Sequence, residues 1–189
     1  MINLSEDKIL NKNIEIETFI LINEINNLNL IDKLKNKIKE KVKVSKISRK
    51  TNVKAEHSEF NAFNDDPDFH EFLNIIRPSI QKIYKDSFVI RDVWGNVYSK
   101  TGDYCESHKH ANGGFCGILY CTDGPGPGTY FKEYDLKVEE KKGRFVLFSP
   151  LLFHEVKPYH YTSERIILAW NFSALRGWED VSKAKIIKK

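Results

Sequence analysis

The apolar pattern of this chain changes near Lys85 from a helical period to a strand period. Before that point, apolar side chains recur every three to four residues, which is typical of amphipathic helices. After it come short segments rich in aromatic and β-branched residues, separated by turns. The change predicts an α+β fold class, in which N-terminal helices pack outside a strand core that forms two facing sheets or a small barrel, as in a jelly roll.

Two helices are predicted in the first half. Asn29 is the expected N-cap of the first helix, and its apolar stripe consists of Ile31, Leu34, Ile38 and Val42. The second helix is expected to begin at Asp66 and Pro67, because a capping acid followed by proline marks a helix start. Its apolar stripe consists of Phe69, Phe72, Leu73, Ile76, Ile80 and Ile83. Pro78 falls inside this stripe and is expected to kink or divide the helix.

The second half predicts an all-strand region. Its expected strands are residues 88–98, 115–121, 129–131, 144–148 and 166–172. Residues 124–128, with the sequence GPGPG, forbid regular structure and predict a turn. Residues 15–22 favour a further strand or a buried apolar segment. We therefore expect an arm at residues 1–50 packed on a core at residues 51–180, followed by a basic tail at residues 181–189.

Cysteine usage and hydropathy favour a cytoplasmic protein. The three cysteines, Cys105, Cys116 and Cys121, are odd in number and lack a CxxC spacing, which disfavours a disulfide framework or a zinc knuckle. Uninterrupted apolar runs such as residues 19–22 are far too short to cross a bilayer, and the first residues lack the apolar segment of a signal peptide. We expect no membrane partner.

Charge is unevenly distributed along the chain, whose net charge is +4. Residues 32–50 contain nine basic and two acidic side chains. Such a segment can attract nucleic acid, but lysines on the solvated face of a helix explain it better, because no aromatic side chains interleave with them. The apolar stripe at Ile31, Leu34 and Ile38 would serve either the core or a homodimer interface.

Two histidines one residue apart, His108 and His110, predict a pair of metal ligands. Side chains alternate faces along a strand, so both imidazoles would project to the same side. His154 follows one predicted strand and precedes another, which makes it the best candidate for a third ligand. Three protein ligands would leave three open positions for a chelating cosubstrate and dioxygen.

Two alternatives for the second ligand stay open at this point. Glu106 would share the strand face of His108, and Asp103 lies close by. The remaining histidines, His57, His70 and His160, fit surface or packing roles better than metal binding.

Arg165 is the candidate anchor for an anionic cosubstrate. It lies eleven positions after His154, on the next predicted strand. A guanidinium makes a planar two-pronged contact with a carboxylate, so Arg165 could hold the far carboxylate of 2-oxoglutarate while the keto acid end chelates the metal. Tyr98 and Tyr120 are candidate hydroxyl donors to the same carboxylate.

A family resemblance joins these residues. The segments DVWGNVYSKTGDYCESHKHANGGFCGILY and GRFVLFSPLLFHEVKPYHYTSERIILAWNF resemble a group of 2-oxoglutarate/Fe(II) oxygenases from phages and marine bacteria, in both the order and the spacing of motifs. The resemblance covers roughly residues 51 to 173. It implies a double-stranded β-helix, Fe(II) and 2-oxoglutarate, with His108, His110 and His154 at the metal and Arg165 at the cosubstrate. For a phage-encoded protein, the location would be the host cytoplasm.

The implied activity is hydroxylation of a substrate with release of succinate and CO2. The substrate would be a protein side chain, an amino acid or a small metabolite. One departure stands out, since most of the wider superfamily has Asp or Glu where this chain has His110. The replacement of a carboxylate by an imidazole leaves the site with one more positive charge and shifts its metal preference toward Ni, Cu or Zn.

Two alternative functions stay open. One is a nucleic-acid-modifying oxygenase, and the other is a non-catalytic, cupin-like metal-binding sensor, which would need neither Arg165 nor 2-oxoglutarate.

Overall fold

In a computed structural model, the residues described are 18–47, 51–84, 87–110, 114–160 and 162–174. They form two α-helices, a single 3-10 turn at Lys132–Tyr134 and eleven β-strands. The helices are α1 (Leu28–Val44) and α2 (Pro67–Ile83). The strands are β1 (Ile20–Glu24), β2 (Val53–Lys54), β3 (Glu56–His57), β4 (Phe88–Tyr98), β5 (Tyr104–His108), β6 (Gly114–Tyr120), β7 (Thr129–Phe131), β8 (Leu136–Val138), β9 (Arg144–Phe148), β10 (His154–Val156) and β11 (Arg165–Ala174).

The strands form two antiparallel sheets. The larger sheet has the order β1-β9-β6-β11-β4-β3, and the smaller has the order β2-β5-β10-β7-β8. Apolar side chains from both sheets, such as Ile118 and Phe148 from one and Phe131 and Val156 from the other, form one buried cluster. The two sheets therefore face each other across a shared core, which confirms the expected jelly-roll architecture.

Strand β11 shows how the layers are built. Leu168, Trp170 and Phe172 join the cluster that includes the helices, whereas Ile167 and Ala169 join the cluster between the sheets. This alternation follows from the two-residue period of a strand. Arg165 has the same parity as Ile167, so it enters the interior between the sheets, where it has no solvent exposure.

Helix α1 covers the outer face of the larger sheet. Its predicted stripe residues Ile31, Leu34 and Ile38 are fully buried within the chain. Ile38 lies so close over Gly95 that a Cβ at that position would overlap it. Each such apolar side chain contributes about 1.5–3 kcal/mol on burial. In this structure the stripe belongs to the core of the chain itself.

The helix ends agree with the sequence at α2 but not at α1. The side chain of Asp66 accepts hydrogen bonds from the backbone amides of Asp68 and Phe69, as expected for the cap of α2. The cap of α1 is Asn27, whose Oδ1 accepts from the Leu30 amide at 3.2 Å, so the assignment of Asn29 was wrong. Two asparagines so close together are chemically equivalent as caps, and tertiary packing of the helix decides between them.

Helix α2 continues through Pro78, which corrects the expectation of a divided helix. Ile76 before the proline and Ile80 after it are both buried in the same cluster, and this packing compensates for the missing backbone hydrogen bond. Neither described helix combines the length and the apolar character needed to cross a bilayer.

The long strands lie where the sequence placed them, and most of the short ones were missed. Strands β4, β7 and β9 have the predicted bounds, β6 is shifted by one residue, and β11 extends beyond its predicted range at both ends. The two- and three-residue strands β2, β3, β8 and β10 were not predicted. The expected basic tail at residues 181–189 lies outside the described residues, as do residues 15–17 of the first apolar segment.

Candidate metal centre

Three imidazoles converge at one end of the space between the sheets. One ring nitrogen from each of His108, His110 and His154 lies within 4.8 Å of the corresponding nitrogens of the other two. His108 ends β5 and His154 begins β10, and the two are register partners across the antiparallel pair. His110 lies two residues beyond the end of β5, where its backbone amide donates a 2.7 Å hydrogen bond to the carbonyl of Pro150. Backbone pairing therefore positions all three.

Two of the imidazoles are oriented by backbone carbonyls. The Nδ1 of His108 lies 2.8 Å from the carbonyl oxygen of Glu106, and the Nδ1 of His154 lies 3.1 Å from that of Leu152. Since a carbonyl only accepts, both rings carry their proton on Nδ1 and keep the Nε2 lone pair free. This arrangement is typical of histidines that bind a metal through Nε2.

The three imidazoles are held in the neutral form. Burial lowers the pKa of His110 to about 4, and the neighbouring His108 adds to the effect. Burial also lowers the pKa of His154 well below its ordinary value, again with a contribution from His108. The pKa of His108 itself is lowered by burial, although the hydrogen bond to Glu106 opposes the shift. Neutral imidazoles are the form that binds metal ions.

The cluster fits a divalent transition metal. Imidazole nitrogens bind such ions at about 2.0–2.1 Å, so ligands on one octahedral face lie roughly 3 Å apart. Small rotations of the side chains would close the observed separations of up to 4.8 Å. Three nitrogen donors suit iron, nickel, copper and zinc better than magnesium or calcium.

The two carboxylates considered as alternative ligands are engaged elsewhere. Glu106 is exposed and forms an ion pair with Lys54 at 3.3 Å. Asp103 accepts hydrogen bonds from the backbone amides of Ser99 and Lys100, both at 2.9 Å, and so closes a turn. Neither belongs to the histidine cluster.

The other histidines are also separate from the cluster. The Nδ1 of His57 contacts the carbonyl of Ser58, His70 Nε2 contacts the carbonyl of Asn64, and His160 is exposed. These placements agree with the packing and surface roles expected of them.

Arg165 lies in the wall of the same cavity as the three histidines. This inner cavity, of about 50 Å³, is lined by His108, His110, His154, Tyr98 and Arg165 together with apolar side chains and a few further polar ones, among them Thr129 and Glu155. The guanidinium carbon of Arg165 is 4.6 Å from the centre of the Tyr98 ring and 5.5 Å from that of Tyr120. The four residues that the sequence singled out for metal and anion binding are therefore together.

The hydroxyl groups around Arg165 form a small network. Arg165 Nη2 donates to Thr129 Oγ1 at 3.2 Å, and the Tyr120 hydroxyl lies 2.7 Å from the same oxygen and 3.2 Å from the carbonyl of Val138. Burial raises the pKa of both Tyr98 and Tyr120, so both hydroxyls stay protonated near neutral pH. Tyr120 thus has its hydroxyl engaged with Thr129 and Val138, while its ring packs on the guanidinium.

Sequence analysis missed one charged residue of this site, Glu140. Its Oε1 lies 3.1 Å from Arg165 Nε, out of line for a hydrogen bond, and both side chains are almost completely buried. Burial raises the pKa of the Glu140 carboxyl, and the charge of Arg165 opposes that shift. For Arg165, burial disfavours the charged form, but Tyr98, Tyr120 and Glu140 outweigh it and raise the pKa.

An outer cleft continues from the histidines toward solvent. It measures about 420 Å³ and shares His108, His110 and Trp94 with the inner cavity. Val53 and Asn171 also line both cavities, and the remaining walls of the cleft include Asn52, Phe60 and Asp92. Phe60 packs edge-on against Trp94, with ring centroids 5.3 Å apart. A molecule in this cleft would reach the open side of the metal centre.

Comparison with solved structures identifies the fold. A viral collagen prolyl hydroxylase from Paramecium bursaria Chlorella virus-1, solved with 2-oxoglutarate, matches with a TM-score of 0.60 and 19% identity, over 81% of this chain and 96% of that one. A prolyl-4-hydroxylase from Pseudomonas putida matches with a TM-score of 0.62 and 18% identity, over 84% and 93% of the two chains. The chain therefore shares its fold with these two solved structures.

A third structure extends the comparison to a metal-bound protein. HygX from Streptomyces hygroscopicus, solved with nickel and 2-oxoglutarate, matches with a TM-score of 0.60 and 9% identity, over 84% of this chain and 83% of that one. No protein-family model and no curated protein matches the sequence. The fold therefore rests on structural likeness, and the chemistry rests on the residues of the site.

Proposed function

We propose that this chain is a 2-oxoglutarate- and Fe(II)-dependent dioxygenase that hydroxylates a protein side chain, an amino acid or a small metabolite, with release of succinate and CO2. One observation carries the proposal: His108, His110 and His154 converge in a single cavity whose wall contains the buried guanidinium of Arg165. A metal site alone needs no buried cation. A cation beside a metal is what a dicarboxylic keto acid requires.

In this proposal, each residue has a separate role. His108, His110 and His154 hold the metal through neutral imidazoles, and their backbone partners fix the ring orientation. Arg165 binds the distal carboxylate of 2-oxoglutarate, while Tyr98 and Tyr120 pack against the guanidinium and Tyr98 lines the cavity. When bound, the iron supplies the oxidative chemistry that couples decarboxylation of the keto acid to hydroxylation.

The outer cleft is the proposed entry for the substrate to be hydroxylated. It opens onto His108 and His110 and carries the aromatic rings of Phe60 and Trp94, together with the polar side chains of Asn52 and Asp92. These groups would position a substrate carbon near the metal and limit access of water.

The experiment that tests the proposal is an anaerobic titration of the Fe(II)-loaded protein with 2-oxoglutarate, followed by exposure to oxygen and measurement of succinate. We expect a visible charge-transfer band on addition of 2-oxoglutarate and slow succinate production without substrate. His154→Ala should abolish both, whereas His160→Ala, which changes an exposed histidine outside the cluster, should retain both. Metal content is measured for every variant.

The same experiment separates an oxygenase from a non-catalytic metal-binding sensor. The sensor is favoured by one observation, namely that the described residues of the cluster are three imidazoles without a carboxylate. Metal binding that is lost in His154→Ala, with no response to 2-oxoglutarate in the wild type, would identify the sensor and contradict the oxygenase.

A nucleic-acid substrate receives less support from the structure. Several lysines of α1 form ion pairs within the chain: Lys37 with Asp66 and Asp68, and Lys39 with Glu164. The basic segment is thus partly neutralised by the chain's own carboxylates, which weakens its attraction for phosphates.

A further inference from the structure

The buried guanidinium of Arg165 has a counter-ion inside the protein. Arginine remains protonated at any physiological pH, and an unpaired buried charge is strongly unfavourable. The Arg165 side chain has no solvent exposure and that of Glu140 has 1%, and their charged atoms are 3.1 Å apart. Glu140 therefore balances the charge of Arg165 in the absence of any ligand.

The fold makes a place for the Glu140 carboxylate. Residues 124–128 form the glycine- and proline-rich turn, and a Cβ on Gly126 would overlap Glu140 Oε1. A Cβ on Gly124 would also lie 3.1 Å from the other carboxylate oxygen. Glycine at Gly126 leaves room for the carboxylate in this position, so the turn accommodates the ion pair.

The ion pair leaves part of Arg165 available. Glu140 lies beside Nε, and Nη2 donates to Thr129. Within the part of the chain that the structure describes, Nη1 has no hydrogen-bond partner, although it is buried and belongs to a side chain that lines the cavity. A ligand carboxylate would meet a guanidinium that already has one anion at its side.

The negative charge of Glu140 compensates for the absence of a carboxylate among the candidate ligands His108, His110 and His154. A site with two histidines and one carboxylate carries a negative charge among its metal ligands. Here the three candidate ligands are neutral, and the site's carboxylate, Glu140, instead stands behind Arg165. The charges of a divalent metal, a dicarboxylate, Arg165 and Glu140 then sum to zero, as those of the metal, the dicarboxylate, Arg165 and a carboxylate ligand would.

We propose that Glu140 is a specificity-determining residue, which acts as the resident counter-ion of Arg165 and limits how tightly the site holds the distal carboxylate of a dicarboxylic keto acid. This inference rests on the proposed function of Arg165 as the cosubstrate anchor. When a dicarboxylate binds, two carboxylates share one guanidinium. Their repulsion weakens binding of that ligand, and it has no effect on a keto acid without a distal carboxylate.

The test compares two keto acids on the nickel-loaded protein by calorimetry. Glu140→Gln keeps the shape of the side chain and removes its charge. We expect it to tighten binding of 2-oxoglutarate by about tenfold, the effect of one nearby charge in a partly screened interior, and to change the affinity for pyruvate less than twofold. Glu139→Gln is the matched control, because Glu139 is the adjacent acid and its side chain is 71% exposed.

Two outcomes of the calorimetry would overturn the proposal. Affinity for 2-oxoglutarate that is unchanged or weaker in Glu140→Gln would show that the carboxylate does not oppose the ligand. An equal change for 2-oxoglutarate and pyruvate would show a general distortion of the site rather than an effect on Arg165.

A measurement on the wild type covers the case in which Glu140→Gln does not fold. The Nε–H resonance of Arg165, assigned by its loss in Arg165→Lys, is followed by NMR without metal or keto acid. We expect slow exchange with solvent and a resonance that moves as acid protonates Glu140. Exchange of the Arg165 Nε–H proton with solvent as fast as in free arginine would contradict the buried ion pair. If the ion pair holds but the wild type does not bind 2-oxoglutarate, the proposed function fails independently.

Discussion

His108 and His154 lie directly opposite each other in the antiparallel pair of β5 and β10, with ring centroids 4.3 Å apart. Backbone hydrogen bonds between the strands therefore define the distance between two candidate metal ligands. A shift of the register by one residue would turn one imidazole to the opposite face. The geometry of the metal centre is thus a property of strand pairing.

Loss of Arg165 should destabilise the protein as well as its binding of 2-oxoglutarate. In Arg165→Met, the buried carboxylate of Glu140 loses its partner, and we expect a loss of about 3–5 kcal/mol in the free energy of unfolding. Urea denaturation of the metal-free protein measures this loss. The double variant Arg165→Met/Glu140→Gln should recover at least half of it, since no unpaired charge remains. Additive losses in the double variant would argue against coupling of the two residues.

The identity of residue 110 should control metal selectivity. We expect His110→Asp to lower the preference for Ni²⁺ over Mn²⁺ by about tenfold, because carboxylates suit manganese and imidazoles suit nickel. Competition titrations with the two metals measure the ratio. His57→Asp is the control, since His57 lies outside the cluster. An unchanged ratio in His110→Asp would remove residue 110 from the ligand set.

The metal-free protein should lose stability as the pH falls below about 6.5. In the unfolded chain the histidines protonate near their ordinary pKa, whereas in the folded chain the pKa of His110 is about 4 and those of His108 and His154 are also lowered. The unfolded state then binds more protons, so the free energy of unfolding decreases toward low pH.

Thermal melting between pH 7 and pH 5 tests this linkage. We expect a fall in Tm of roughly 3–6 °C from the histidine cluster, and a smaller fall in His110→Asn, whose side chain is neutral at every pH. His160→Asn serves as the control at an exposed histidine and should follow the wild type. If the Tm of His110→Asn fell as much as that of the wild type, His110 would not contribute to the pH dependence of stability.

Burial of the α1 stripe against the larger sheet should account for much of the stability of the fold. Leu34→Ala removes a fully buried side chain and should cost about 2–5 kcal/mol in the free energy of unfolding. Leu28→Ala, in the first turn of the same helix and 49% exposed, should cost less than about 0.5 kcal/mol. Equal costs at the two positions would contradict the packing of α1.

The long elements and the site residues could be predicted because each leaves a local pattern. The helical stripes repeat within one segment, and β4 and β11 are long runs of aromatic and β-branched residues. The short strands β2, β3, β8 and β10 have two or three residues each and are defined by their pairing, which for β2, β3 and β10 involves distant segments and for β8 the nearby β7. At that length a local pattern rarely distinguishes a strand from a loop, and β7, which has two adjacent aromatic side chains, is the exception.

Glu140 shows what sequence reasoning could not find. It lies in the run VEEKKGR, where two acidic side chains are followed by basic ones, a composition typical of a solvated surface. Its neighbour Glu139 is indeed exposed. Only the path of the chain after β8, beneath the turn at residues 124–128, brings Glu140 to Arg165. The burial of a single acid in a charged run depends on topology and not on composition.

Strand β1 has a practical consequence for any shortened form of this protein. It pairs along its whole length with β9, from Ile20 opposite Phe148 to Glu24 opposite Arg144, and so forms one border of the larger sheet. A version that starts after Glu24 would leave the amides and carbonyls of β9 open to pairing with another molecule. The shortened protein would then self-associate through β9, even though every residue of the metal centre is still present.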